Sequence, residues 1–572
     1  MKAADYIVDY LFSQGVTQIF EVIGGMITQI VDSAYRQKNI ELVSMHHEQA
    51  ASFAADSYGR LTGIPGVAIA TSGPGATNLI TGIGSCYFDS VPAIFITGQV
   101  NTHEQKGNKP IRQLGFQETD IVSMVAAITK AAWKVNSADE LPELLRSAFI
   151  ISTTGRPGPV LIDVPMNVQK ENVEPVLEGK KIKNNIGPNS EQIDNMLECL
   201  LNAKRPLVLA GGGIRASQST DIFRKFIKLI NIPTVNSLMA VDSLAFDEPN
   251  RIGLIGTYGN RWANIALGNS DVLLVLGSRL DIRQTGADTK SFKEGRIIYH
   301  VDCEESEINN RISGCVSFVD DLNKFIKSAI SIMKNKPSYN YKDWRNQIKE
   351  WKTKWPDEKE LSTNNSINPN RFLHQLSSNS PLASTFIVDV GNNQMWAAQS
   401  VELRNTQRFI TSGGMGSMGY ALPAAIGATY ATPGKPVVVI AGDGGMQMNI
   451  QELETIIHHH YPIKIVIINN KSLGMVRQFQ ESYFENRLQS TFLGYSAPDF
   501  TLIAKAYGIS SGTVENQKDV SKSIRKLWEN PLEPYLLQVM IDPSINVYPK
   551  IAFGHPITEM EPFVQPIDME ST

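Results

Sequence analysis

Absences narrow the reading of this sequence first. It has four cysteines in 572 residues, and Cys86, Cys199, Cys303 and Cys315 show none of the paired spacing of a zinc site or disulfide framework. A Cys303–Cys315 bridge is open, but reduced thiols in a cytoplasmic protein are the expectation. No apolar run approaches the ~20 residues that span a bilayer. The first residues, MKAADYIVDYLFSQGV, alternate at helical spacing without a continuous hydrophobic stretch, so no secretory signal is expected. A basic excess is missing too. The 53 Lys and Arg face 57 Asp and Glu, a formal net charge of -4, which gives no electrostatic reason to expect nucleic acid. There is no low-complexity segment and no short-period repeat, and the middle part of the chain, 190–335, has no GxGxxG. What remains is a globular composition, 42% apolar and 19% charged, too long for one core. About three or four domains are expected from such a length.

Apolar runs between helical patterns divide the chain into three α/β blocks. The first, 1–170, holds the strands GVAIAT (66–71), VPAIFITG (91–98) and PVLIDVP (159–165). A polar stretch at 171–189 reads as a linker. The second, 190–335, holds RPLVLAGG (205–212), DVLLVLGS (271–278) and GRIIYHVD (295–302). The charged sequence after it carries Trp344, Trp351 and Trp355 and reads as a surface helix packing those indoles. The third, 368–545, holds STFIVDVG (384–391), PVVVIAGD (436–443), IKIVIINN (463–470) and PYLLQVMID (534–542), and a tail follows at 546–572. Strands alternating with helices imply an α/β fold of three doubly wound parallel sheets, with ligands at the carboxyl ends of strands.

Two of those ends carry the strongest signal. Asp443, in Gly442-Asp443-Gly444-Gly445, and Asn470, in Asn469-Asn470, close neighbouring strands with a helix between them. They offer two oxygens to a hard cation such as magnesium. The glycines let backbone N–H groups approach a diphosphate, and the following helix points its positive end at it. The plainer alternative is a tight turn in a βαβ unit. In the first block, SMHHEQAASFAADSYGRLTG (44–63) reads as an amphipathic helix with Glu48 near its start. Taken alone, that is a carboxylate favoured by the helix dipole.

The stretch from Gly-Asp-Gly to the paired Asn resembles the diphosphate motif of thiamine-diphosphate enzymes. The resemblance implies a metal held by Asp443, Asn470 and the main-chain oxygen of Ser472. It implies that Glu48, in the pattern HEQ-small-Ala, bonds the aminopyrimidine ring nitrogen and drives the tautomer that removes the thiazolium C2 proton, a role suited to an apolar setting. It further implies an aminopyrimidine grip by the Gly416 carbonyl and a Met418 side chain wedged beneath the bent coenzyme. Gly25, Gly391, Asn392, Asn393 and Met475 are the remaining candidate coenzyme contacts. The loop at 70–83, ATSGPGATNLITGI, would shape the pyrimidine-side pocket and subunit contacts rather than hold phosphate.

Within that family the strings HEQAA, TSGPGATNL, DSVPAIFITGQV, FQETDIV, GRPGPVLIDVP, TSGGMGSMGYALPAAIGA and LGMVRQF are most similar to acetohydroxyacid (acetolactate) synthase catalytic subunits. Such enzymes decarboxylate pyruvate on the coenzyme and pass the two-carbon unit to a second 2-oxo acid, chemistry that needs the coenzyme's electron sink. Gln117 matches a residue near the reacting oxygens. Arg283 matches an arginine on the acceptor's carboxylate side. The second block resembles the family's FAD domain, through Gly211, Gly212 and Gly213, Leu238, Gly256 and Gly259, Gly277 and Arg279, and Asp302 at a ribose position. A homodimer or homotetramer follows, because sites in this family lie between the first block of one subunit and the third of another. Departures gather on the acceptor side: Phe479 at the family's Trp position, Arg477, a basic insertion with Lys106, Lys109 and Arg112, EVIGG at 21–25 and a different tail. The alternatives are a flavin-containing carboligase acting on a nucleotide-linked keto sugar, and an oxidase or simple decarboxylase.

Overall fold

The structure, a computed structural model, describes residues 1–174, 190–334, 336–337, 339–361 and 366–567. Most of the expected linker, 175–189, lies outside the described residues. Three six-stranded parallel sheets follow one another along the chain. In spatial order, the first is Glu41–Ser44, Gln18–Val22, Gly66–Ala70, Ala93–Gln99, Pro159–Pro165 and Ala131–Lys134. The third is Arg408–Thr411, Thr385–Val388, Val437–Gly442, Ile463–Asn469, Tyr535–Met540 and Ser510–Val514. Numbered within each sheet, both run 2-1-3-4-6-5, a shared topology that the two sequences do not display. The middle sheet runs Val316–Val319, Ile297–Asp302, Val272–Leu276, Pro206–Ala210, Thr234–Asn236 and Arg251–Leu254. That is the order 3-2-1-4-5-6 read from the other edge, the order of dinucleotide-binding sheets.

Topology locates the crevices. Strand order reverses between Gln18–Val22 and Gly66–Ala70 in the first sheet, and between Thr385–Val388 and Val437–Gly442 in the third. In the middle sheet it reverses between Pro206–Ala210 and Val272–Leu276. Ligands in open α/β sheets bind outside the carboxyl ends at such points. Gly25 and the Gly73-Pro74-Gly75 turn follow the first pair, Gly391 and Asp443 the third pair, and Gly211–Gly213 and Gly277–Arg279 the middle pair.

The helix Glu48–Thr62 differs from the amphipathic 44–63 expected. It begins at Glu48, capped by His47 Nδ1 on the Gln49 N–H, and residues 50–59 are buried all round. The cause is a second layer: the helix packs on its own sheet and on Ala421–Ala431 of the third domain. Small residues line that contact, Ala50, Ala51, Ala54 and Ala55 against Ala421, Ala424, Ala425 and Ala428, and the Ser57 hydroxyl donates to the Ala424 carbonyl at 2.6 Å. The helix Lys342–Lys354 buries Trp344 as expected, with its indole N–H on the Pro206 carbonyl. All four cysteines are free. Among the described residues no helix is long and apolar enough to cross a membrane.

A Cβ added to Gly427 would lie 2.0 Å from the Ala54 carbonyl oxygen and 2.4 Å from Ser57 Oγ. Backbone on the opposing helix cannot yield as a side chain does. Gly427→Ala should therefore destabilise the packing of the first and third domains by about 1–3 kcal/mol. Urea unfolding checks this, and an unchanged midpoint would mean the two helices do not approach as closely as described.

Candidate active site

Asp443 begins the short helix Asp443–Met448 directly off the strand Val437–Gly442. Gly442 pairs in register with Ile468, so Asp443 and Asn470 emerge side by side. Both are buried, at 1% and 5% exposure. Burial pushes the Asp443 carboxyl up to about 6, opposed by a hydrogen bond from the Tyr495 hydroxyl (3.0 Å) and by backbone N–H groups. Asn470 Oδ1 accepts from the Ser472 N–H at 3.2 Å, and Lys471 between them takes φ 51°, which folds the chain back and brings Ser472 beside Asn470. The helix expected between the strands is two short ones, Asp443–Met448 and Glu452–His458. The break serves a purpose: Asn449 Nδ2 there donates to the Gly419 carbonyl and to Gln49 Oε1.

Asn392 and Asn393 have different fates. Asn393 Nδ2 donates to the Asp389 and Ile440 carbonyls, tying two strand ends together, and its Oδ1 lies over Gly391 and Gly442. Asn392 is buried, yet neither its amide nitrogen nor its oxygen has a protein partner. It lies against Gly474, as the Asn470 amide does, and opens the helix Asn392–Ser400. A buried amide left unpaired beside the Asn470 amide is unusual in a folded core, where such groups are nearly always bonded. Met475, one residue on, packs with the third domain's core instead.

Gly416 (φ 66°) faces open space, and Met418 reaches back so that its Cε would lie 3.2 Å from a Cβ at Gly444. Their loop hangs on buried carboxylates. Asp389 accepts from the Gly419 and Ala421 N–H groups (3.0 and 2.9 Å), and its burial raises the acid to about 6. A Cβ at Gly445 would meet that carboxylate at 2.4 Å. From the first domain, Asp89 accepts from the Gly413 and Gly414 N–H groups and from Arg60.

Glu48 sits apart from that cluster. Its Oε2 accepts from Asn78 Nδ2 at 2.9 Å, and its Oε1 would be 3.2 Å from a Cβ at Gly75. Gln117 lies over Gly73 of the same turn, and Gly25 borders open space. Thus Glu48, Gly25, the Gly73–Gly75 turn and Gln117 gather at the carboxyl edge of the first sheet. Among the described residues no hydrogen bond or ion pair joins Glu48 to Asp443 or Asn470. The third domain instead grips the chain just before Glu48: the buried Glu452 accepts from the His46 N–H at 3.0 Å.

In the middle domain, Leu238, Arg279 and Arg283 line a cleft with Met239, Met395 and Gly413. The Arg283 guanidinium lies 3.8 Å from Met395 Sδ. The glycines mostly serve loop-on-loop packing: Gly211 and Gly213 abut Gly277, and Gly256 abuts the Arg283 carbonyl. Gly212 abuts Met239, and Gly259 closes on its own turn. Asp302, whose carboxyl burial raises, ends its strand and accepts from the Glu304 N–H.

Sequence models described as thiamine pyrophosphate enzyme, N-terminal TPP binding domain, central domain and C-terminal TPP binding domain match residues 1–124, 193–328 and 389–539. The chain is 36% identical over 550 residues to the acetolactate synthase large subunit of Lactococcus lactis, covering 96% of this chain and 93% of that one. The chain belongs to the thiamine-diphosphate-dependent enzymes. It is also 35% identical over 568 residues to the acetolactate synthase isozyme 2 large subunit of Escherichia coli, covering 98% and 99%. A probable acetolactate synthase large subunit of Methanocaldococcus jannaschii is 36% identical over 586 residues, covering 100% and 96%.

The sequence reading of this thiamine-diphosphate enzyme missed Tyr495, Asp389, Asn449, Asp89 and Glu452, all supports rather than motif residues. It also missed Asp163, which lies in the strand Pro159–Pro165 of the first sheet at 1% exposure. Asp163 accepts from the Thr97 hydroxyl and Gln99 Nε2, and burial pushes it up to about 7. A carboxyl whose folded pKa lies above its unfolded value of about 3.9 favours the native state at low pH and loses that contribution as pH rises toward 7. Asp163→Asn should therefore gain stability relative to wild type between pH 4 and pH 7, by on the order of a few kcal/mol. Urea unfolding of both proteins at pH 5 and pH 7 measures the gap. A gap independent of pH would show that Asp163 does not titrate in that window.

Proposed function

We propose that this thiamine-diphosphate enzyme decarboxylates pyruvate and transfers the two-carbon unit to a second carbonyl compound, as an acetolactate synthase-like carboligase. The observation that carries the coenzyme site is the trio of Asp443, Asn470 and the unpaired buried amide of Asn392 at the third sheet's switch point. Asp443, Asn470 Oδ1 and the Ser472 carbonyl would hold magnesium, a hard cation suited to oxygen ligands. Gly442, Gly444 and Gly391 would let backbone N–H groups reach the diphosphate. Gly416 and Met418 would hold the aminopyrimidine bent. The bound coenzyme supplies the electron sink for decarboxylation.

Glu48 would hold the proton at the aminopyrimidine ring nitrogen. Because its carboxyl has its own partners within the first domain, a second copy of the chain completes the site, and the working enzyme is a homodimer or homotetramer. Arg283 and Gln117 would face the acceptor and the reacting oxygens. The middle sheet's 3-2-1-4-5-6 order and the cleft lined by Leu238, Arg279 and Met239 support bound FAD. The free thiols fit a cytoplasmic enzyme. The names of the relatives favour a 2-oxo acid acceptor over a nucleotide-linked keto sugar, and large subunit in those names suggests a smaller companion chain.

Glu48→Gln should fold, bind thiamine diphosphate with magnesium, and lose C2 proton exchange by at least 100-fold, since general acid–base groups contribute about 10²–10⁴-fold. Exchange by NMR at unchanged rate would remove Glu48 from the mechanism. Wild-type protein given pyruvate alone should form acetolactate. Oxygen uptake, acetaldehyde release or a strict need for a keto sugar would point to the alternatives.

A further inference from the structure

Gln117 is held in a conformation that side chains avoid, and the structure shows what holds it. Its φ is 65°, in the left-handed region, where a residue bearing Cβ is disfavoured. Its Cβ and Cγ lie over Gly73, where an added Cβ would come within 3.0 Å. Its carbonyl accepts the Ser72 hydroxyl at 2.7 Å. The Thr119 hydroxyl adds a longer bond to the same carbonyl, at 3.2 Å.

Ser72 is itself buried and oriented. Its Oγ lies 3.1 Å from Gln99 Oε1. Gln99 Oε1 also accepts from the Val100 N–H at 3.0 Å. Gln99 Nε2 donates to the Thr119 carbonyl at 2.8 Å and to Asp163 Oδ2 at 3.0 Å. Asp163 Oδ1 accepts from the Thr97 hydroxyl at 2.7 Å. Gln99 therefore cannot flip its amide without losing bonds on both sides. A chain of contacts runs from the sheet through Asp163, Gln99 and Ser72 to one peptide carbonyl, with the single Ser72 hydroxyl proton shared between that carbonyl, at 2.7 Å, and the more distant Gln99 Oε1. Buried networks of this kind rigidify what they touch. Strained residues persist where the surroundings over-determine them, and they cluster at functional sites.

We propose that Ser72, oriented by Gln99 and Asp163, is a positioning residue that fixes the Gln117 backbone so that its side chain is presented beside Gly73, next to the Glu48 turn. This rests on the carboligase reading, in which Gln117 meets the reacting oxygens. Ser72 touches no reacting atom and acts through Gln117 alone.

A double-mutant cycle with Ser72→Ala and Gln117→Ala tests it on the holoenzyme. Ser72→Ala should lower the carboligation kcat about tenfold, the worth of one lost positioning hydrogen bond. The KM for pyruvate and C2 proton exchange should stay within twofold. Added to Gln117→Ala, it should change kcat by less than twofold. An equal loss in both backgrounds, or C2 exchange falling in step with kcat, overturns the proposal. So does Gln117→Ala with wild-type kcat. That last outcome leaves the carboligase reading standing, because exchange reports Glu48 independently. Absence of exchange in the wild type would sink the carboligase reading itself. If Ser72→Ala does not fold, Ser72→Cys, of similar size and a weak donor, runs the same cycle.

Discussion

The site depends on two helices that approach as closely as their backbones allow. Glu48–Thr62 and Ala421–Ala431 meet through alanines, one glycine and a serine hydroxyl on a carbonyl. Larger side chains would separate the helices and, with them, the first and third sheets. The contact places Glu48 at the end of a buried rod whose far side is the third domain. It also sets Tyr420, at the start of the facing helix, so that its hydroxyl donates to Asp56 at 2.6 Å. Arg60 bridges Asp56 and Asp89 beside it. Such a buried ionic cluster is weak evidence for stability, since desolvation offsets much of the attraction. Its value lies in geometry. Asp89 has both oxygens on the loop that leads to Gly416 and Met418, so the first domain fixes a loop of the third.

Buried carboxylates do the same work elsewhere. Asp389, Asp89 and Glu452 all accept backbone N–H groups of loops at strand ends. A loop that must present bare N–H and C=O groups to a ligand cannot bond them to itself. Fixing such a loop from behind with a charged acceptor leaves its front free. Asn392 is the converse case, a buried side-chain amide with no protein partner.

The legible part of the fold was the part that is buried on both faces. Central strands such as Val437–Gly442 and Ile463–Asn469 read as continuous apolar runs. The edges did not. Glu41–Ser44, Ala131–Lys134, Val316–Val319 and Ser510–Val514 are half-exposed, short and mixed in polarity, and carry no run to detect. The Asp443–Asn470 pair was visible because both residues lie within one strand–helix–strand unit. Tyr495 and Asp389 were not, for their partners are 52 and 30–32 residues away. The Ser72–Gln99–Asp163 chain joins three neighbouring strands toward their carboxyl ends, an adjacency that only the 2-1-3-4-6-5 order creates. Sequence spacing also mistook the Glu48 helix for amphipathic, because a helix covered by a second domain still carries small polar residues such as Ser52, Asp56 and Ser57 that bond inside the core.

The acceptor side is where structure alters the sequence argument most. In the sequence Arg477 stood out only as a departure at an acceptor-side position. It is buried, ion-paired with Glu481, and bonded to the Ile545 carbonyl and Asn546 Oδ1. Its charge therefore anchors the start of the tail. The tail then folds into the antiparallel pair Lys550–Ile551 and Met560–Glu561, closed by a buried Lys550–Glu561 ion pair at 2.9 Å. Arg261 holds the hairpin's far end through the Met560 and Glu561 carbonyls. The tail is thus fastened to the middle domain and to the helix Gly474–Tyr483, and the Ile551 N–H donates to Thr257 beside the Arg283 turn. Phe479, on that same helix, remains 40% exposed. Within the described residues the tail is held at Asn546 and at Met560–Glu561. Arg477 therefore belongs to the frame of this region, whereas Phe479 and Arg283 are left with side chains that, among the described residues, the frame does not tie down by an ion pair.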